Sequence, residues 1–244
     1  MSRPRVLVCA GFEPSGRMGL LADLNTIREL GGEGLGAVTA WTLQRGGAFE
    51  VRAVSPRLVR RQVEGLLAQG PIHAVKLGMV PTRRHLQAIT RALRGFRGWW
   101  VIDPVTRSST GRTLSTLTAS DYRGLKARRR VLTPNALEAA WLGVEPQALV
   151  KLGFEAVVVK GGHAKGAACV DDLFTRGPRR ALVRRRAVRS AKVRGTGCRH
   201  ASAMAVALAR GASLEEAARS AQALVGAWVR QASKTRRSAD SRSS

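Results

Sequence analysis

Gly195-Thr196-Gly197-Cys198, followed by the small, helix-favouring run Ala201–Ala209, describes an anion-binding turn with a reactive side chain at its edge. Two glycines allow a ligand to approach the backbone closely, and the first N–H groups of a helix starting here are unpaired at the positive end of its dipole. Phosphoryl transfer is the chemistry that such a turn suits. Cys198 falls in the first helical turn, where a thiol pKa tends to fall and the thiolate can serve as base or nucleophile. A tight turn entering a helix would account for the same four residues.

Other reactive types stand directly after short apolar runs. In open parallel sheets, ligands bind beyond the carboxyl ends of the strands, which gives those positions weight. Gly11-Phe-Glu-Pro-Ser-Gly16 leads towards a helix carrying Asp23, which is either a ligand-facing acid or a charge complementing the dipole. Gln44 offers a donor and an acceptor side by side, suited to a heterocycle edge or to a surface loop. Asp103 ends Trp99–Ile102, where a carboxylate must be hydrated, paired or metal-bound. In Thr133-Pro-Asn135, with Glu138 three residues on, Asn135 caps a helix, or the amide and carboxylate face Mg2+ beside a triphosphate. Lys160-Gly161-Gly162-His163 is either a phosphate contact or a turn.

These positions need strands to carry them and helices to space them. Short β-branched runs alternate with helical stripes, the pattern of βαβ units and a mostly parallel sheet. Strands are expected at 6–10, 35–40, 74–77, 99–103, 130–133, 156–160, 169–174 and 181–188, the last two forming an antiparallel edge hairpin around Arg176-Gly-Pro. Stripes such as Leu20, Leu21, Leu24, Ile27 and Leu30 mark helices between them. Ser213-Leu-Glu-Glu216 reads as a capping box opening a C-terminal helix. The expected organisation is one α/β domain over 1–231 and a disordered basic, serine-rich tail over 232–244.

With 244 residues and 44% hydrophobic content, the chain can bury a substantial core. No apolar run approaches membrane-spanning length, and Cys9, Cys169 and Cys198 are too scattered for a disulfide framework or zinc site, so a cytoplasmic protein is expected. The net charge of +26 would ordinarily point to nucleic acid. Arginine outnumbers lysine 35 to 7, however, and is spread through almost every segment without interleaved aromatics. That scatter fits GC-rich coding bias, so no specific nucleic-acid partner is expected, only adventitious polyanion association.

The order of the motifs is more specific than any one of them. Ala10-Gly-x-x-Pro-Ser-Gly, Ala22-Asp-Leu-x-Thr26, Thr39-Ala40, Gln44, Lys76-Leu-Gly-Met79, Asp103-Pro-Val105, Ser109-x-Gly111, Thr133-Pro-Asn-x-x-Glu138, Val159-Lys-Gly-Gly-His163 and Gly195-Thr-Gly-Cys198 together resemble the hydroxymethylpyrimidine/phosphomethylpyrimidine kinase family. The likeness extends from about Val6 to Val229. It implies a three-layer ribokinase-like α/β fold and ATP-dependent phosphorylation of 4-amino-5-hydroxymethyl-2-methylpyrimidine and its monophosphate, in thiamine biosynthesis. It further implies Asp23 and Gln44 on the aminopyrimidine, with Gly11 and Met79 walling the pocket. Asp103 and Glu138, with Asn135, would organise Mg2+ and its waters. Lys160 and Gly162 would meet ATP phosphates, Gly195, Thr196 and Gly197 would bind the transferring group, and Cys198 would act as base towards the alcohol. A homodimer is implied too. A pyridoxal-type kinase, or a non-catalytic ligand- or polyanion-binding protein on the same scaffold, are the competing readings.

Several positions depart from the family pattern. Phe12-Glu13 replaces a Thr-Asp pair, Arg17-Met18 replaces Gly-Ala, and Lys192-Val-Arg194 and Arg199-His200 replace the residues flanking the anion turn. These changes put larger and more cationic side chains around an otherwise intact set of reactive residues.

Overall fold

The computed structural model describes residues 3–45, 48–108, 111–161, 168–185 and 193–240. One nine-stranded sheet organises them, in the order β3-β2-β1-β4-β5-β6-β7-β8-β9. Its strands are β1 (Arg5–Phe12), β2 (Glu33–Arg45), β3 (Ala48–Ala53), β4 (Ala74–Leu77), β5 (Trp99–Ile102), β6 (Arg129–Leu132), β7 (Ala156–Val159), β8 (Ala168–Phe174) and β9 (Arg180–Arg185). The six strands from β2 to β7 in spatial order run parallel. β3, β8 and β9 pair antiparallel at the two margins.

The helices are α1 (Gly19–Glu29), α2 (Pro56–Leu67), α3 (Arg83–Ala92), α4 (Ala119–Arg123), α5 (Ala136–Leu142), α6 (Pro146–Lys151), α7 (Thr196–Ala209) and α8 (Leu214–Asp240). Strand alternation sends Leu7, Cys9, Val75 and Leu77 into one apolar layer with Val59, Val63 and Ile89. Val6, Val8 and Ala10 go into the opposite layer with Met204, Val206 and Ala221. In α7 the small residues Ala201, Ala203 and Ala205 are buried, which lets this helix lie close to both the sheet and α8.

Register determines what the sheet presents. Cys9 pairs with Leu77, Leu77 with Ile102, Ile102 with Leu132, and Leu132 with Val157. The residues that follow these strand ends therefore emerge at one edge. Asn135 and Lys160 meet there in an isolated bridge.

Two expectations need correction. β2 extends to Arg45 and pairs with β3, so antiparallel strands flank both sides of the sheet, where the sequence suggested one hairpin. Phe49, Val51 and Ala53 alternate with Glu50 and Arg52 after Gly46-Gly47, a short strand pattern that the sequence reading passed over. The final helix also continues to Asp240, into residues expected to be disordered, because no glycine or proline stops its run of Ala, Arg, Lys and Ser. The last expected strand is observed only to Arg185, since 186–188 lie outside the described residues.

Candidate active site

Gly195 caps α7 with φ of 82°, and no side chain accepts from the helix's first N–H groups. A Cβ at this position would stand 2.0 Å from the Arg17 carbonyl oxygen, so the turn requires glycine on both conformational and steric grounds. The unclaimed N–H groups remain available to an anion. At Gly197, a Cβ would lie 3.2 Å from Lys160 Nζ and 3.6 Å from Asp103 Oδ2. The turn, the lysine and the aspartate thus converge although they come from widely separated segments.

Lys160 Nζ donates to Asp103 Oδ1 at 2.7 Å, with 11% and 2% of the two side chains exposed. Burial pushes the Asp103 carboxyl up, but Lys160 and Lys76 outweigh it and hold the group below the usual carboxylate range. The lysine of the pair shows the converse: burial disfavours its charge, while Asp103 and Glu138 raise its pKa overall. Asn135 and Glu138 form a capping box, with Asn135 N–H donating to Glu138 Oε2 at 2.7 Å and Glu138 N–H donating to Asn135 Oδ1 at 2.9 Å. Both also line the cavity, so capping and facing a ligand are not alternatives here. Burial lifts Glu138 to about 7, against the pull of Lys160.

Gly11 and Met79 also line this cavity, and a Cβ on Gly11 would stand 2.6 Å from Met79 Sδ. Thr39 Oγ1 fixes this wall by donating to the Met79 carbonyl at 2.7 Å. Gln44 sits on β2 opposite Phe49. Its side chain and the whole of Gly162 lie outside the described residues.

Two expectations differ from the structure: that Asp23 faces the ligand cavity, and that the Cys198 pKa is lowered. Asp23 is fully buried and does not line the cavity; its oxygens accept from Lys76 Nζ at 2.7 Å and Ser202 Oγ at 2.8 Å. It therefore stands behind Lys76. Cys198 lines the cavity, but its thiol is pushed up to about 11. Burial is the main cause; Lys76 and a hydrogen bond from Gly19 N–H pull downward, while Asp23 and Asp103 push further up. Position in a first helical turn is outweighed by desolvation and neighbouring carboxylates.

Lys76 was part of the Lys76-Leu-Gly-Met79 motif but was assigned no role of its own. A lysine inside Ala74-Val-Lys-Leu77 cannot remain charged in an apolar layer without a partner, and that was its signal. Burial opposes its charge, Asp23 outweighs burial, and its pKa lies above the usual lysine value. Asp171 and His200, buried with Nε2 3.5 Å from Oδ2, line the cavity as well. Arg199 is buried and has no carboxylate partner among the described residues; Nη1 donates to the Arg17 carbonyl at 3.1 Å, and its guanidinium lies 3.9 Å over the Trp228 ring.

Asp103, Glu138 and the Asn135 amide offer hard oxygen donors on one wall. Among the described residues no three or more His, Cys, Asp or Glu side chains form a metal-holding group. Two carboxylates suit Mg2+, which commonly completes its shell with water and phosphate oxygens.

A phosphate turn and a paired lysine and aspartate at the carboxyl edge of this helix-flanked sheet make the molecule a kinase of ribokinase-like architecture. The particular lineage follows from comparison with known proteins. The chain belongs to the phosphomethylpyrimidine kinase family, whose model matches residues 13–241. It is 33% identical to a hydroxymethylpyrimidine/phosphomethylpyrimidine kinase of Rhizobium meliloti, over 91% of this chain and 89% of the relative. A Streptomyces coelicolor protein of the same name is 34% identical over 91% and 87%. Among solved structures, pyridoxal kinase from Staphylococcus aureus in complex with AMP-PCP is similar, with TM-score 0.84 and 26% identity over 94% of this chain and 89% of that one. Phosphomethylpyrimidine kinase from Clostridium difficile gives TM-score 0.74 and 25% identity over 95% and 99%.

Proposed function

We propose that this kinase uses ATP to phosphorylate 4-amino-5-hydroxymethyl-2-methylpyrimidine, its monophosphate, or both, yielding the pyrimidine diphosphate of thiamine biosynthesis. The observation that carries the reading is the convergence of Gly195–Cys198 with Lys160 and Asp103 on a cavity that Gly11 and Met79 also line. The names of the relatives supply the substrate class.

Phosphoryl transfer calls for in-line positioning and for stabilisation of charge on the equatorial oxygens. In this reading, the N–H groups at the start of α7 receive the transferring group, and Lys160 meets ATP phosphates as a point charge. Asp103 keeps Lys160 protonated and aimed. Asp103 and Glu138, with Asn135, would hold Mg2+, which supplies charge neutralisation on the phosphates when bound. Gly11 and Met79 wall the acceptor ring, with Gln44 on its edge. Asp23 acts through Lys76, fixing an ammonium beside the Cys198 thiol. For an alcohol acceptor, Cys198 takes the hydroxyl proton as thiolate. For a monophosphate acceptor, already ionised at neutral pH, no base is required.

An ADP-release assay with the aminopyrimidine alcohol, its monophosphate and pyridoxal, each with and without Mg2+, tests the proposal. Turnover of at least one pyrimidine only with Mg2+ is the expected result. Turnover of pyridoxal alone would transfer the assignment to the acceptor named for the Staphylococcus aureus neighbour, and no turnover with any of the three would remove the catalytic reading.

A further inference from the structure

The opposite end of the sheet carries a second concavity that the kinase reading leaves unused. Arg91, at the end of α3, is joined by Arg94 and Arg97 from the α3–β5 connection and by Lys126 and Arg128 from the α4–β6 connection. These five cations are among eleven residues lining one groove, and none of the eleven is acidic. All five are exposed. They therefore greatly exceed their share of a chain in which 42 of 244 residues are lysine or arginine.

Several exposed arginines elsewhere find carboxylates, Arg60 with Glu64, Arg179 with Asp172 and Arg219 with Glu215, while others such as Arg57 and Arg61 form no ion pair among the described residues. None of the five groove cations forms an ion pair among the described residues. Like charges held around one concavity repel, a cost that a bound anion relieves.

Trp100, 2% exposed, lies beneath these cations. Ammonium and guanidinium groups can only donate hydrogen bonds. A groove whose charged groups are all donors complements a ligand rich in acceptors.

We propose that this groove binds a small anion carrying several phosphate groups, at a site separate from the catalytic cavity. The placement supports separation: Trp100, on β5, lies three residues before Asp103, which directly follows that strand, roughly 10 Å away at the strand rise. The shape favours a compact oligophosphate over nucleic acid. The five cations line one hollow, and the indole is too buried to serve as a platform for stacked bases.

Calorimetric titration of the full chain with inorganic tripolyphosphate, without Mg2+ and at fixed ionic strength, tests this. In Arg94→Ser/Arg97→Ser the stoichiometry falls by one, because affinity at the groove drops at least tenfold. Arg57→Ser/Arg61→Ser, which removes two exposed arginines from α2, changes affinity less than twofold. The proposal is overturned if the two double variants bind tripolyphosphate equally, which would reduce the effect to diffuse charge. It is also overturned if a single-stranded oligonucleotide displaces tripolyphosphate with an affinity that grows with strand length. Because the readout is binding, its failure is distinct from failure of the kinase reading; kcat/KM of the groove variant stays within twofold of the unaltered chain.

Discussion

Two lysine–aspartate pairs lie within the same molecule at the same 2.7 Å separation, yet they are built for different ends. Lys76 and Asp23 have no exposed surface, and Ser202 occupies the second Asp23 oxygen. Lys160 and Asp103 stand at the cavity wall beside the backbone of Gly197. The first pair is enclosed by α1, β4 and α7 and has little freedom to change partners. The second keeps an accessible flank where an incoming phosphate can share the lysine. What separates a structural pair from a working one is thus the unclaimed face of each charge, since length and chemistry are identical.

The largest effect should come from breaking the enclosed pair. Lys76→Ala leaves Asp23 as an uncompensated buried carboxylate, and denaturant unfolding should show a loss of about 3–5 kcal/mol. Lys76→Met with Asp23→Leu should recover most of it, because removing both charges also removes their desolvation cost. Equal instability of the single and double variants would contradict the comparison.

Breaking the cavity-wall pair should act on turnover first. Lys160→Ala is expected to lower kcat about 100-fold or more, of the order seen when one preorganised charge-stabilising donor is lost. The unfolding midpoint should move less than for Lys76→Ala. A Lys160 variant with normal turnover but severe instability would reverse the two roles.

The finest distinction concerns Cys198, which feels both pairs. With its thiol at about 11, thiolate is scarce at neutral pH and accumulates only as pH rises towards that value. The alcohol step should therefore rise by up to tenfold per pH unit between about 7 and 10, while the monophosphate step lacks that slope. Cys198→Ala should suppress the alcohol step about 10- to 100-fold and alter the monophosphate step less than threefold. Single-turnover measurements of each acceptor check both statements, and equal loss of the two steps would remove the base role.

The sequence made strand ends and reactive residues legible together, because a parallel sheet places ligands where apolar runs stop. β4 was delimited at Ala74–Leu77, and Asp103, Asn135, Glu138 and Lys160 each follow such a run. Partnership between distant charges was less visible. Lys76 and Asp23 are separated by 53 positions, and only the register of β4 against β1, with α1 and α7 above, brings them together. Cys198 was misjudged for a related reason: the helix dipole is local and readable, whereas burial and the carboxylates of Asp23 and Asp103 arrive from elsewhere in the fold. β3 escaped notice although Phe49, Val51 and Ala53 alternate with Glu50 and Arg52, because the run is only six residues long and carries none of the reactive residues.

The stack of Arg199 on Trp228 has an optical consequence. The guanidinium lies 3.9 Å over the indole ring and also reaches the Arg17 carbonyl against which Gly195 turns. An indole's emission responds to the field of a cation held on its face, and that field changes when negative charge arrives at the neighbouring turn. Trp228 is thus an intrinsic fluorophore placed to register occupancy of the phosphate site, without a label and without waiting for the reaction to occur.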